Sequence, residues 1–226
     1  MHSRVVVIFV SAMELICKVQ NYHWGKRGSN SLVARLASAN SGIDIDESKT
    51  YAELWMGTHP NAPSHLKNKN ISLAQYLNEK PKDLGSEVLD SFGCQLPFLF
   101  KVLSVETALS VQAHPTKSHA EKLFKDFPDI YKDPNHKPEL AIALTSFEAL
   151  CGFRPQSQIK FFLKNVPELK EVIGEGKIQK FLKAEDNSEE AQDAFKSCFQ
   201  SLMVCDELTV KNSLGNYCLN LLFPFN

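Results

Sequence analysis

The sequence predicts a mixed β and α fold, with sheet-on-sheet or barrel packing up to about residue 155 and helices beyond it. Three observations carry that reading. Short apolar runs in the first two-thirds of the chain are broken repeatedly by Gly, Pro and Asn, the pattern of strands joined by turns rather than of βαβ units. From Ser157 the apolar period becomes helical: Ile159, Phe162, Leu163 and Val166 line one face, Ile178, Phe181 and Leu182 a second, and Ala194, Cys198 and Leu202 a third that ends near Cys205. The composition is 43% apolar and 23% charged, which supplies a sizeable core for a chain of 226 residues.

In chain order, Val5–Val10 is an apolar run of strand length, far short of the roughly 20 residues needed to cross a bilayer. It reads as a first strand or as a divergent leader over residues 1–12, and with Arg4 and Ser11-Ala12 it only faintly imitates a signal peptide. Gly25 to Ser29 forms a turn. The run Ser31–Ala39 follows, with Leu32, Val33, Leu36 and Ala37 at helical spacing, a cap near Asn30 and a stop at Ser41-Gly42. Tyr51–Gly57 reads as a strand entering a His59-Pro60 turn. Ser72–Glu79 reads as a helix with Ser72 as N-cap, and Ser86–Phe92 as a second small amphipathic helix. Three strand-like segments come next: Phe98–Val105, Leu109–His114 (ended by Pro115) and Glu139–Leu144 (opened by Pro138). The apolar tail beyond Leu208 reads as a last strand or as the end of an interrupted gene product.

Lys+Arg 25 against Asp+Glu 26 gives a formal charge of -1. That balance argues against nucleic-acid binding through bulk charge, and no segment is apolar and long enough for a membrane span. The cysteines at Cys17, Cys94, Cys151, Cys198, Cys205 and Cys218 contain no close C-x-x-C pair. They fit a reduced, cytoplasmic chain, with Cys17 and Cys151 as buried thiols.

The chemistry concentrates in Leu109-Ser110-Val111-Gln112-Ala113-His114-Pro115. On a strand, Ser110, Gln112 and His114 share one face and Val111 and Ala113 the other. In Asn135-His136-Lys137-Pro138-Glu139, Lys137 and Glu139 share parity just before the apolar run. If the two segments pair as antiparallel neighbours, the His114 imidazole, the Gln112 amide oxygen and the Glu139 carboxylate converge. One nitrogen and two oxygen ligands suit Zn²⁺ or a similar ion. From the spacing alone, a solvated polar sheet face is the plainer explanation. Lys101 interrupts an otherwise apolar strand, where an unpaired ammonium is costly, so it is expected to reach a pocket or a carboxylate.

At these residues the sequence resembles the type I mannose-6-phosphate isomerase (phosphomannose isomerase) family. The resemblance rests on VQNYHWGKRGSNS at 19–31, YAELWMGTHP at 51–60, LPFLFKVLSVETALSVQAHP at 96–115, YKDPNHKPELAIAL at 131–144 and LCGFRP at 150–155. It covers roughly Leu15 to Asp206. The resemblance implies an incomplete cupin-type β-sandwich or jelly-roll with a helical domain: a catalytic domain over 13–155, part of a helical domain over 156–211 and a non-family tail over 212–226. It implies reversible interconversion of D-mannose 6-phosphate and D-fructose 6-phosphate by a cytoplasmic monomer that supplies mannose for GDP-mannose and glycosylation.

The resemblance further implies one zinc ion held by Gln112, His114 and Glu139, with Lys137 lining the active site and Ser110 and Lys101 in the substrate or phosphate pocket. Trp24 is expected to be structural, and Glu53, Trp55 and His59 to mix structural and pocket-lining roles. The family's fourth ligand, a later His, and its active-site arginine match no residue here. The chain therefore reads as truncated and inactive alone. The alternative is a short non-catalytic isoform or paralogue with a binding or regulatory role.

Overall fold

The structure is a computed structural model and describes residues 12–222. The expected strand or leader at Val5–Val10 lies outside the described residues, as do the last residues of the tail, 223–226. Among the described residues the chain is mixed α/β and divides into two units, one running to Pro138 and one beginning at Glu139.

The first unit is built on three small antiparallel sheets. β1 (Leu15–Ile16) pairs with β6 (His65–Leu66), and β3 (Lys26–Arg27) pairs with β4 (Thr50–Tyr51). The third sheet positions the chemistry: β2 (Lys18–Gln20), β5 (Glu53–Met56) and β7 (Phe100–Leu103) lie in the order β2-β5-β7. Its register sets Lys18 against Trp55 and Trp55 against Lys101, and Val19 against Leu54 and Leu54 against Val102. Because side chains alternate along a strand, Val19, Leu54 and Val102 share one face. They pack against Val33, Ala34 and Ala37 of α1 (Leu32–Ser41). The opposite face carries Lys18, Gln20, Glu53, Trp55 and Lys101.

Helix α1 is capped by Ser31, one residue beyond the Asn30 expected from the sequence. The buried Ser31 hydroxyl accepts from the Ala34 N–H and donates to the Tyr51 carbonyl at 2.8 Å, so one side chain caps the helix and ties it to β4. Gly42, at φ 70, ends the helix in the left-handed conformation that glycine adopts without strain. Gly25 is needed for a different reason: a Cβ there would lie 2.6 Å from the Ala52 Cα, so only glycine lets the turn before β3 press against the start of β5.

A second small core forms under α2 (Leu73–Glu79), where Leu66, Leu73 and Leu77 pack with Leu15, Ile71 and Leu84. Ser72 caps α2 by accepting from Gln75 N–H at 3.1 Å. The small helix over Ser86–Phe92 is α3, and Lys117–Asp126 is α4.

Three expectations are corrected. Residues 109–114 and 139–144 form no strand; both stretches are exposed, with Val111 at 77% and Leu140 at 89%. Alternation decides which face a strand buries, but a strand exists only where a neighbour satisfies its backbone groups, and among the described residues no strand pairs with either stretch. For the same reason the Phe98–Val105 strand contracts to Phe100–Leu103, where β5 is its partner. The small sheets do not stack into a full sandwich.

The second unit is helical from Gln156. It contains α5 (Gln156–Asn165), α6 (Glu168–Ile173), α7 (Glu175–Lys183), α8 (Glu189–Val204) and α9 (Glu207–Leu222). Leu163, Ile173, Ile178, Phe181, Ala191 and Cys198 form its core, joined by Ile159, Leu182 and Ala194. Leu202, expected on the buried face of α8, is instead 41% exposed, and Cys151, expected to be buried, is exposed. The tail described through Leu222 is helix rather than strand. Asp206 sets its start by accepting from the Thr209 N–H at 2.9 Å and from the Thr209 hydroxyl at 2.7 Å.

Candidate functional site

The polar face of the β2-β5-β7 sheet is the most organised cluster of chemistry in the first unit. Glu53 and Trp55 are two residues apart on β5, so both side chains leave the sheet on the side away from α1. The Trp55 indole N–H donates to Glu53 Oε2. Lys101, directly across from Trp55 on β7, places Nζ 3.2 Å from the same carboxylate oxygen and 4.8 Å from the indole centroid. His59 meets Trp55 edge-on at 4.9 Å, from the turn that follows β5.

Glu53 is only 6% exposed and Trp55 7%. A carboxylate that deep requires a cation and donors, and it has both. Among the described residues no buried side-chain nitrogen or oxygen lacks a partner. Tyr22 stacks on Trp24, with centroids 5.7 Å apart. Burial first, and then the negative charge of Glu53, raises the Tyr22 phenol above its ordinary value, so Tyr22 stays a neutral donor. The Trp24 carbonyl accepts from Glu106 N–H at 2.9 Å and so fixes the segment leaving β7.

Lys101 thus meets a carboxylate. The register shows which one, through the shared parity of Glu53 and Trp55 in the AELWM stretch. Sequence reasoning missed Lys18 and Gln20 on the same sheet face; the signal was the K-V-Q alternation around Val19.

The remaining candidates lie elsewhere. Ser110, Gln112 and His114 sit on the exposed stretch between β7 and α4 that has no regular secondary structure. Lys137 is exposed near the end of the first unit, where Lys117 Nζ donates to Asn135 Oδ1 at 3.0 Å, and Glu139 is the first residue of the second unit. Among the described residues no three His, Cys, Asp or Glu side chains gather in a metal-holding group. The donor set read from the sequence contains only two such residues, His114 and Glu139, beside the Gln112 amide.

Fold and polar face together describe a mixed α/β chain with small antiparallel sheets, one sheet face packed on a helix and the other bearing a buried carboxylate, a lysine and stacked aromatics. Comparison with known proteins narrows that class. Residues 12–156 match the family model of the phosphomannose isomerase type I catalytic domain. Mannose-6-phosphate isomerase 1 of Arabidopsis thaliana is 48% identical over 202 residues, covering 87% of this chain and 47% of that protein. Mannose-6-phosphate isomerase of Bos taurus is 50% identical over 206 residues, covering 89% and 49%. A crystal structure of mannose 6-phosphate isomerase from Salmonella typhimurium bound to substrate and zinc superposes with a TM-score of 0.71 at 33% identity, covering 94% of this chain and 53% of that one. The chain belongs to the phosphomannose isomerase type I family. It spans about half the length of the curated relatives it matches.

Proposed function

We propose that this chain carries the catalytic part of a zinc-dependent aldose–ketose isomerase that interconverts D-mannose 6-phosphate and D-fructose 6-phosphate. The observation that carries the proposal is the match of residues 12–156 to the catalytic-domain family model. It is supported by relatives near 50% identity and by a neighbour structure that holds zinc and substrate. With the function go a cupin-type catalytic domain over 13–155, a helical domain over 156–211, a cytoplasmic setting, a monomeric state and a supply of mannose toward GDP-mannose and glycosylation.

The donor set fits the metal: a neutral imidazole from His114, an amide oxygen from Gln112 and a carboxylate from Glu139 match the nitrogen and oxygen ligands zinc accepts. When bound, zinc supplies a Lewis acid for the sugar's carbonyl oxygen. The rest of the chemistry belongs to the chain. Isomerisation moves a proton between C1 and C2, and Lys137 is assigned to hold or transfer protons at the reacting oxygens. Lys101 and Ser110 are assigned to the phosphate. The Lys101 ammonium has three donors, so the Glu53 carboxylate fixes its direction and leaves donors for an incoming anion.

The test transplants residues 12–156 into the Bos taurus enzyme in place of the matching stretch. The chimaera is expected to bind one zinc and to isomerise mannose 6-phosphate. His114→Ala is expected to lose the metal, and Lys137→Met to lower kcat by about 10²–10⁴ with zinc retained. A folded, zinc-loaded chimaera without turnover overturns the proposal. Full zinc content in both His114→Ala and Glu139→Ala overturns the ligand set.

A further inference from the structure

Beyond the β2 edge of the sheet, the loop between β6 and α2 borders an open, solvent-facing cavity of about 490 Å³. That volume lies within the roughly 300–1,000 Å³ typical of small-molecule sites. Its polar walls are Lys18, His65, Lys67, Asn68, Lys69 and Asn70, and no acidic side chain lines it. Every one of those six side chains can donate a hydrogen bond, and three are ammoniums around a single volume.

The frame of the cavity is held by short-range bonds. Leu66 N–H donates to the Ile71 carbonyl at 3.1 Å, Lys69 N–H to the Leu66 carbonyl at 3.2 Å and Lys67 N–H to the Glu14 carbonyl at 2.9 Å. His65 is fixed by its pairing with Ile16. Lys69 lies 5.6 Å from the centroid of the Tyr76 ring, whose hydroxyl donates to Asp83 at 2.5 Å. That contact positions the ammonium without neutralising it. Lys67 meets Glu14 at 2.9 Å, but both partners are well exposed, and such a pair yields readily to a better anion. An open depression with several cationic donors and no lining carboxylate is complementary to a compact, multiply charged anion.

We infer that this cavity binds a phosphate monoester dianion, at a site on the β6–α2 loop whose lining includes neither Glu53 nor Lys101, and independent of the isomerase reading. Two sources share that chemistry: free phosphate, and a phosphorylated sugar whose hydroxyls the Asn68 and Asn70 amides would contact.

The experiment is an amide NMR titration of the 226-residue chain with inorganic phosphate and, separately, with mannose 6-phosphate, at constant ionic strength against a chloride control. Saturable shifts are expected at residues 65–70. Lys67→Glu and Lys69→Glu are each expected to weaken binding by about tenfold, Lys69→Gln less, and Lys125→Met, at an exposed position in the last turn of α4, is expected to leave binding unchanged. Equal affinity for the two probes identifies the phosphate group as the ligand, and tighter mannose 6-phosphate binding identifies the sugar phosphate. Shifts that fail to saturate, that chloride reproduces, or that persist undiminished in both Lys67→Glu and Lys69→Glu overturn the inference. The loop positions are exposed, and an unchanged amide spectrum of each variant without ligand establishes its fold.

Discussion

Glu53 shows how one buried charge is kept in the first unit. Its Oε2 takes the Trp55 indole N–H and faces the Lys101 ammonium, while the rest of the side chain is walled in. Lys101→Met leaves that carboxylate buried without its cation, whereas Lys101→Met with Glu53→Gln removes both charges. The single variant is expected to cost more than the double variant, with a coupling of about 0.5–3 kcal/mol by urea unfolding. Strict additivity would show that the pair is not coupled. The presence of a partner for Lys101 was legible in the sequence, because an ammonium within FLFKVL has to be compensated. Which acid it meets was not legible, since that depends on a register between residues far apart in the chain.

Among the secondary-structure elements, the α2 cap was legible at its residue, Ser72, whereas the α1 cap expected near Asn30 is Ser31, and the caps Thr116 and Ser188 were not read. Ser72 acts locally, through one bond to the Gln75 N–H, and Ser72→Ala is expected to cost about 1 kcal/mol. Ser31 caps α1 and also donates to the Tyr51 carbonyl from a fully buried position, so Ser31→Ala orphans a buried acceptor as well. Denaturation should rank Ser31→Ala as the more damaging of the two; the reverse order would show that the link to β4 contributes little.

In the helical unit, Cys198 lies on the buried face of α8. Burial raises its thiol above the ordinary value of 9.0, a shift opposed in part by Lys177. The folded chain therefore keeps that proton at pH values where the unfolded chain has released it. The resulting stability is complete below about pH 9.0 and is lost as pH rises from there through the folded value. Urea midpoints of wild type and Cys198→Ala between about pH 8 and 10.5 should diverge in slope, with the variant flatter; parallel curves would remove the thiol from the account.

Among the described residues, apolar side chains are divided between packed cores and several exposed positions, of which the 140–144 run is one of the most exposed. Leu140, Ile142 and Leu144 stand at 89%, 78% and 71% exposure, in a run whose sequence has the composition of a buried strand. An exposed apolar row of that length is expected to bind 1-anilinonaphthalene-8-sulfonate. Replacing the three residues by Ser should lower the dye's fluorescence while the unfolding of α5–α8 stays in place. Unchanged fluorescence would assign the dye to another surface.

The near-neutral charge, the turn-broken first unit, the helical end and the family motifs all follow from local pattern, because helix caps, turns and side-chain parity need only a few neighbouring residues. Local pattern accordingly suffices for the elements α1, α2, α3, α5, α7 and α8, and for the family. Strand pairing had to wait for the tertiary structure: β7 is a strand because β5 lies beside it, whereas 109–114 and 139–144, with equally suitable residues, are not. Backbone groups of a strand are satisfied from outside the segment, while those of a helix are satisfied within it. The Ser72 cap could therefore be read directly, and the meeting of Lys101 with Glu53 required the fold.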